Sequence, residues 1–293
     1  MLLLFKKSIA NSFTLLNLLL GFSAIVLVAL SFSENTNYIQ TACLLIYIAT
    51  LIDVFDGKIA RKLGTSGDFG KEIDSLADLI SFCLLPAILI FYQMYDPYNS
   101  ESMNLKFGYI IILSSLPLLC GAIRLAKFNA YDEHSKESSY LGLPTPGNAL
   151  FICAIISLLD IFLMRPLSFI DTVSSLESIG QLINMPNTSF FQKISILSYK
   201  ILLSGYYIPL IACSLSSILL ISKIRYSKFP ILKSKLGREN LYNIIGISIF
   251  FIILIIGIIN KEHNNVILFF ITYYIISGIF KWIMKLLNIS KWR

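Results

Sequence analysis

Apolar residues run along this chain in blocks separated by short polar stretches. Each block is about 18 to 22 residues long, enough to cross the hydrocarbon core of a bilayer as a helix. Eight spans are expected, at 13–32, 38–55, 74–95, 107–126, 147–164, 199–221, 241–260 and 265–287. The first follows Lys6 and Lys7, but no small-residue cleavage site ends it, so it is read as a retained helix rather than a signal peptide. The expected fold class is all-α: a polytopic integral membrane protein of about eight transmembrane helices. The longest stretch between blocks, 165–198, has amphipathic character and is expected to lie along the membrane interface on the outer side.

A mean hydropathy of +0.75 and a charged fraction of 14% exclude an ordinary soluble domain. The basic residues set the expected orientation. With the N-terminus in the cytoplasm, nineteen Lys and Arg fall on that side, four on the other, and Lys200 at a boundary. Both termini are therefore expected in the cytoplasm. The net charge of +7 then reflects topology and contact with anionic head groups rather than nucleic acid. The basic 222–240 loop is read in the same way, as an inside-facing lipid contact. Cys43, Cys83, Cys120, Cys153 and Cys213 each fall in a different apolar block without a CxxC pair, and read as small core residues. His134 and His263 have no ligand partners nearby in sequence.

The charged exception is DVFDGKIARKLGTSGDFGKEIDSLAD, residues 53–78, which packs five aspartates, one glutamate, three lysines and an arginine between two apolar blocks. Asp53 and Asp56 are three apart at the cytoplasmic end of the second block, and Asp74 and Asp78 are four apart at the start of the third. Those spacings put each pair on one helix face, with Cβ atoms about 5–6 Å apart. A turn containing Gly64, Gly67 and Gly70 is expected to bring the two pairs face to face. Four carboxylates at that range repel unless cations lie between them. Hard oxygen donors suit Mg2+, Mn2+ or Ca2+, not zinc. Charges at membrane depth cost about 2.5–3.5 kcal/mol each on insertion scales, so a clustered set points to function. Asp68, Glu72 and Asp132 are read as interfacial charges. Gly57 and Ala60 follow Asp53 on its own face and leave room for a bulky ligand near the backbone. Arg61 offers a planar fork suited to a phosphate. Metal ions, an arginine and open space together indicate a phosphate-bearing substrate. GTSGDFG lacks GxGxxG spacing and no GxxxxGK occurs, so an ATP-type cradle is not expected.

Residues 53–78 read D-x2-D-G-x2-A-R-x8-G-x3-D-x3-D. This resembles the signature of the CDP-alcohol phosphatidyltransferases, integral membrane enzymes of phospholipid synthesis. The resemblance implies a six-helix catalytic core, a homodimer and a site open to the cytoplasm, in the cell inner membrane. It divides the chain into a catalytic membrane domain, 1–229, and two C-terminal transmembrane helices within 230–293. NSFTLLNLLLGFSAI at 11–25, RLAKFNA at 124–130 with YLGLPTPGNA at 140–149, and SKIRYSKF at 222–229 resemble the phosphatidylserine synthase branch. The chain departs from that branch at Lys127, where arginine is usual, and at Asn148, where a small residue is common.

The resemblance implies transfer of a phosphatidyl group from CDP-diacylglycerol to L-serine. Asp53, Asp56, Asp74 and Asp78 would hold two divalent ions, Mg2+ or Mn2+, with Ca2+ as an in vitro substitute, and Asp78 would also serve as catalytic base. Asn17, Gly57, Ala60, Arg61 and Gly70 would bind CDP-diacylglycerol. Arg124 and Lys127, three apart, are expected to share a helix face and bind the serine carboxylate or a phosphate; Asn129 is a weaker candidate. Membrane lipids are the other expected partners, and nucleic acid is not. Pro144 and Pro146 are expected to end one element and open the fifth span at Gly147. Glycerol 3-phosphate or inositol phosphate is the alternative acceptor. A prenyltransferase would carry its aspartate motifs far apart in sequence. A cation transporter would place carboxylates near the bilayer midplane in paired broken helices.

Overall fold

The computed structural model describes residues 2–33, 37–63, 68–94, 103–130, 139–164, 207–227, 253, 255 and 263–287. Among the described residues the helices are α1 (Leu2–Ser33), α2 (Ile39–Leu63), α3 (Asp68–Asp78), α4 (Leu85–Met94), α5 (Met103–Ala130), α6 (Thr145–Met164), α7 (Tyr207–Ser216) and α8 (His263–Leu286). A π-helical turn, Leu79–Leu84, joins α3 to α4 as one rod, and a 3-10 segment, Ser217–Ile221, extends α7. Among the described residues, four stretches are long and apolar enough to cross a membrane: Asn11–Phe32, Phe69–Met94, Phe107–Ala130 and His263–Leu286. Ile39–Val54, Thr145–Asp160 and Pro209–Ile221 are shorter apolar helices. The chain is an integral membrane protein, mostly helical among the described residues. Of the eight expected spans, 241–260 lies outside the described residues apart from 253 and 255, as do the 165–198 segment and most of the 222–240 loop.

Two boundaries differ from expectation in a way that matters. The second apolar block ends near residue 55, but α2 continues to Leu63. The third rod starts at Asp68 rather than Asp74, so Gly70 lies inside a helix and not in a turn. Hydropathy marks where a helix leaves the apolar layer, not where its hydrogen bonding stops. Gly64 and Gly67 lie outside the described residues. Helix α6 opens with Thr145 and Pro146, where a missing N–H costs nothing.

Among the described residues the all-α expectation has one exception. β1 (Ser139–Leu141) and β2 (Arg225–Ser227) pair antiparallel, with Tyr140 opposite Tyr226. No alternating pattern announces a ribbon this short.

Small residues set the helix spacing in the core. Ala24 and Val28 on α1 meet Ala42, Cys43 and Ile46 on α2 in one buried cluster, the small-residue packing that membrane helices use for close approach. The π turn is held the same way. A Cβ on Gly21 would lie 2.9 Å from Ser81 Cα and nearer still to its Oγ, and Ser81 Oγ donates to the Asn17 carbonyl at 3.0 Å. Leu85 N–H reaches back to Ile80 O. The five described cysteines are buried and unpaired, as expected.

One end of the bundle carries a polar network that hydropathy alone does not reveal. Asp160, 4% exposed on α6, accepts from Asn37 Nδ2 at 2.5 Å and Gln40 Nε2 at 2.9 Å. Ser157 Oγ donates to Gln40 Oε1, and Asn264 Nδ2 on α8 donates to Ser157 Oγ. Tyr47 Oη closes the set by donating to Asn264 Oδ1 at 3.0 Å. Three helices are thereby tied along the Gln40–Tyr47 stretch of α2, about 9 to 20 Å along its axis from Asp53. Replacing Asp160 with leucine leaves amide donors unsatisfied in an apolar layer, a cost of about 1–2 kcal/mol. The thermal unfolding midpoint in detergent should fall; an unchanged midpoint would show the network to be dispensable.

Candidate active site

The other end of the bundle collects the motif residues. It is built from the start of α1, the end of α2, the start of α3, the end of α5 and the start of α6. α7 and its 3-10 extension end there, and α8, which starts at the Asp160 end, runs toward it. Asp53 on α2 and Asp74 and Asp78 on α3 each offer a carboxylate oxygen, and all three atoms lie within 4.8 Å of one another. Each carboxylate is half-buried. The spacing of four places Asp74 and Asp78 on successive turns facing α2, which is why two separate helices can supply one cluster.

Asp56, Gly57, Ala60 and Arg61 continue α2 beyond Asp53. The helical register keeps Asp56, Gly57 and Ala60 within about 60° of Asp53. Their side chains lie outside the described residues, so the fourth carboxylate of the expected quartet is located by register alone.

The cluster has the chemistry of a hard-cation site. It contains no His or Cys, and Asp74 Oδ1 is buried with no hydrogen-bond partner among the described residues. A buried carboxylate oxygen without a donor is the signature of a group whose partner is an ion or a ligand. Asn17 shows the same feature more strongly. It is fully buried on α1, beside the π turn that follows Asp78, and both of its amide atoms lack partners among the described residues. Gly70, one turn before Asp74, has open space at its Cα. A Cβ there would meet only Asn11 Oδ1, at 3.8 Å.

The remaining expected residues are distributed differently. Arg124 is half-buried and its Nη1 donates to Leu141 O at 2.9 Å, with a longer contact to Leu220 O at 3.5 Å. It also interacts electrostatically with Asp78. Lys127 is exposed. Of the two residues three apart on α5, Arg124 bonds to the β ribbon and Lys127 is exposed. Asn129 takes a role the sequence did not suggest. Its Nδ2 donates to Glu72 Oε2 and its Oδ1 accepts from Ser75 Oγ, both at 3.2 Å. Glu72 is exposed as expected of an interfacial charge, yet it also helps moor α3, and with it Asp74 and Asp78, to α5. Asn148 is fully buried, held by Ser216 Oγ at 2.8 Å and Ser217 Oγ at 3.1 Å. Its departure from the branch pattern thus has a local structural use.

Comparison with known proteins agrees with this geometry. A family model described as CDP-alcohol phosphatidyltransferase matches residues 7–178, which include all four motif aspartates, Arg61 and Arg124. The chain is 34% identical over 158 residues to a CDP-diacylglycerol–serine O-phosphatidyltransferase of Methanocaldococcus jannaschii, covering 54% of this chain and 65% of that protein. It is 34% identical over 143 residues to the Helicobacter pylori protein of the same name, covering 48% and 54%. It is 38% identical over 141 residues to an archaetidylserine synthase of Methanothermobacter thermautotrophicus, covering 47% and 54%. The matches thus span between half and two thirds of these relatives. With the match running over more than half its length and through its acidic site, the chain belongs to the CDP-alcohol phosphatidyltransferase family.

Proposed function

We propose that the protein transfers the phosphatidyl group of CDP-diacylglycerol to the hydroxyl of L-serine, giving phosphatidylserine and CMP. The observation that carries this reading is the meeting of Asp53, Asp74 and Asp78 oxygens within 4.8 Å inside the full D-x2-D-G-x2-A-R-x8-G-x3-D-x3-D spacing. Serine as acceptor is supported by the names of the relatives. Asp53, Asp56, Asp74 and Asp78 would hold divalent ions, Mg2+ or Mn2+ and two in number. Bound there, the ions would supply charge neutralisation at the diphosphate and at the departing CMP.

The chain's own groups do the rest. Asp78 accepts the serine hydroxyl proton. The serine oxygen forms a bond to the lipid-side phosphorus as the bond to the bridging oxygen breaks, and the electron pair leaves with CMP. Arg61 binds a diphosphate oxygen, while Gly57, Ala60 and Gly70 leave room for the nucleotide. Asn17, buried with both amide atoms unmatched, is suited to a nucleotide hydrogen bond. Arg124 offers a fork of N–H donors to the serine carboxylate from a place within electrostatic reach of Asp78. The asymmetry of basic residues supports a cytoplasmic site and termini, and the placement in the cell inner membrane rests on the family resemblance. The homodimer and the division into 1–229 and 230–293 rest on the family resemblance.

The test is product formation by the purified protein with CDP-diacylglycerol and Mn2+, offering serine, glycerol 3-phosphate or inositol phosphate separately. Serine-dependent CMP release with a phosphatidylserine product is expected. Activity with another acceptor only would keep the site and overturn the serine assignment. A narrower prediction concerns Gly70. Valine there meets open space in the protein, so folding is retained, but it intrudes on the substrate. KM for CDP-diacylglycerol should rise roughly ten-fold; an unaltered KM would remove Gly70 from the binding surface.

A further inference from the structure

The last helix lies outside the matched residues 7–178, yet it is joined to the neighbourhood of Arg124 by a short series of contacts. Tyr226, the middle residue of β2, is 1% exposed. Its ring lies directly on Gly278 of α8: a Cβ at 278 would be 3.1 Å from Tyr226 Cζ and nearer to two other ring carbons. Tyr274, one turn earlier on α8, packs against the same ring, with centroids 5.4 Å apart and planes tilted by 36°. Tyr226 is paired with Tyr140 across the ribbon, and the next residue, Leu141, supplies the carbonyl that receives Arg124 Nη1.

The chain just beyond is equally constrained. Gly142, at φ 74°, donates its N–H to Ile224 O at 2.8 Å, and Leu143 N–H bonds to Leu219 O at 2.9 Å. Arg124 is therefore seated against the ribbon and the 3-10 segment, and the ribbon leans on α8. Helix α8 is anchored at its other end through Asn264, in the Asp160 network.

We propose that α8 is a positioning element for acceptor binding: Gly278 and Tyr274 hold the Tyr226 ring, Tyr226 holds the ribbon, and the ribbon holds Arg124 where the acceptor carboxylate docks. The proposal rests on the reading of Arg124 as the carboxylate's partner. The Tyr226 hydroxyl is buried without a hydrogen-bond partner among the described residues, so the ring and not the hydroxyl carries the effect. Burial pushes this phenol up to about 12, so it stays neutral at physiological pH.

The experiment is steady-state CMP release by the full chain in lipid nanodiscs with Mn2+, varying serine and CDP-diacylglycerol independently. Gly278→Ala and Tyr226→Ala should raise the serine KM roughly five-fold or more and shift the CDP-diacylglycerol KM by less than about two-fold. Tyr226→Phe should match the unmodified protein. Tyr274→Leu, which removes a ring without inserting an atom into the contact, serves where Gly278→Ala does not fold and should show the same selective rise. Arg124→Ala is run in parallel. If it raises the serine KM while the α8 and Tyr226 variants do not, the positioning role is overturned and the Arg124 reading stands. If Arg124→Ala leaves the serine KM unchanged, the Arg124 reading itself fails and takes the proposal with it. A loss in Tyr226→Phe, or an equal rise in both KM values, would also overturn it.

Discussion

Asp78→Asn should reduce CMP release by about a thousand-fold even at saturating Mn2+. The substitution keeps the size of the side chain and removes both its charge and its capacity to take a proton. A positioned base contributes about a hundred- to ten-thousand-fold, and a lost ligand to a charge-stabilising ion has a similar effect. Asp74→Asn separates the two contributions. Asp74 sits one turn away in the same carboxylate group and is assigned only a ligand role, so its activity should recover in part as Mn2+ is raised, whereas that of Asp78→Asn should not. Near-full turnover by Asp78→Asn at saturating metal would remove Asp78 as the base.

The second large effect is on the protein without its ions. Three carboxylate oxygens within 4.8 Å repel by roughly 3.5 kcal/mol or more per fully ionised pair at an effective dielectric near 20. Chelation should abolish CMP release, and Mg2+ or Mn2+ should restore it. A readout independent of activity follows from the same repulsion. Added Mg2+ should raise the unfolding midpoint of the unmodified protein, and the rise should vanish when Asp53 and Asp74 are both changed to Asn. In chelator the doubly changed protein should be the more stable of the two. A metal-induced rise that survives the double substitution would place the ion elsewhere.

The acidic site was legible because its logic is local. Spacings of three and four within two helices specify which carboxylates share a face, and the structure brings Asp53, Asp74 and Asp78 together. The four described stretches long and apolar enough to cross a membrane were legible for a similar reason, since burial in lipid requires long apolar runs. Arg124 and Lys127 show the limit. Their spacing is helical, but whether both serve one pocket depends on which neighbours approach α5, and the ribbon approaches at Arg124. Asp160 is a carboxylate within an apolar run, and nothing local in the sequence assigned it a role. Its partners Asn37 and Gln40 lie 123 and 120 residues away, and no periodicity connects them.

The amino-acid order by itself determined the membrane class, the helical character and the carboxylate spacing, because each follows from interactions within a few turns of chain or between chain and lipid. Only the tertiary structure decided the Tyr140–Tyr226 ribbon, the π turn beside Gly21, the seat of Arg124 and the contact of Tyr226 with Gly278. Each of those is a steric or hydrogen-bonding match between segments remote in sequence, and it exists only once the helices have packed.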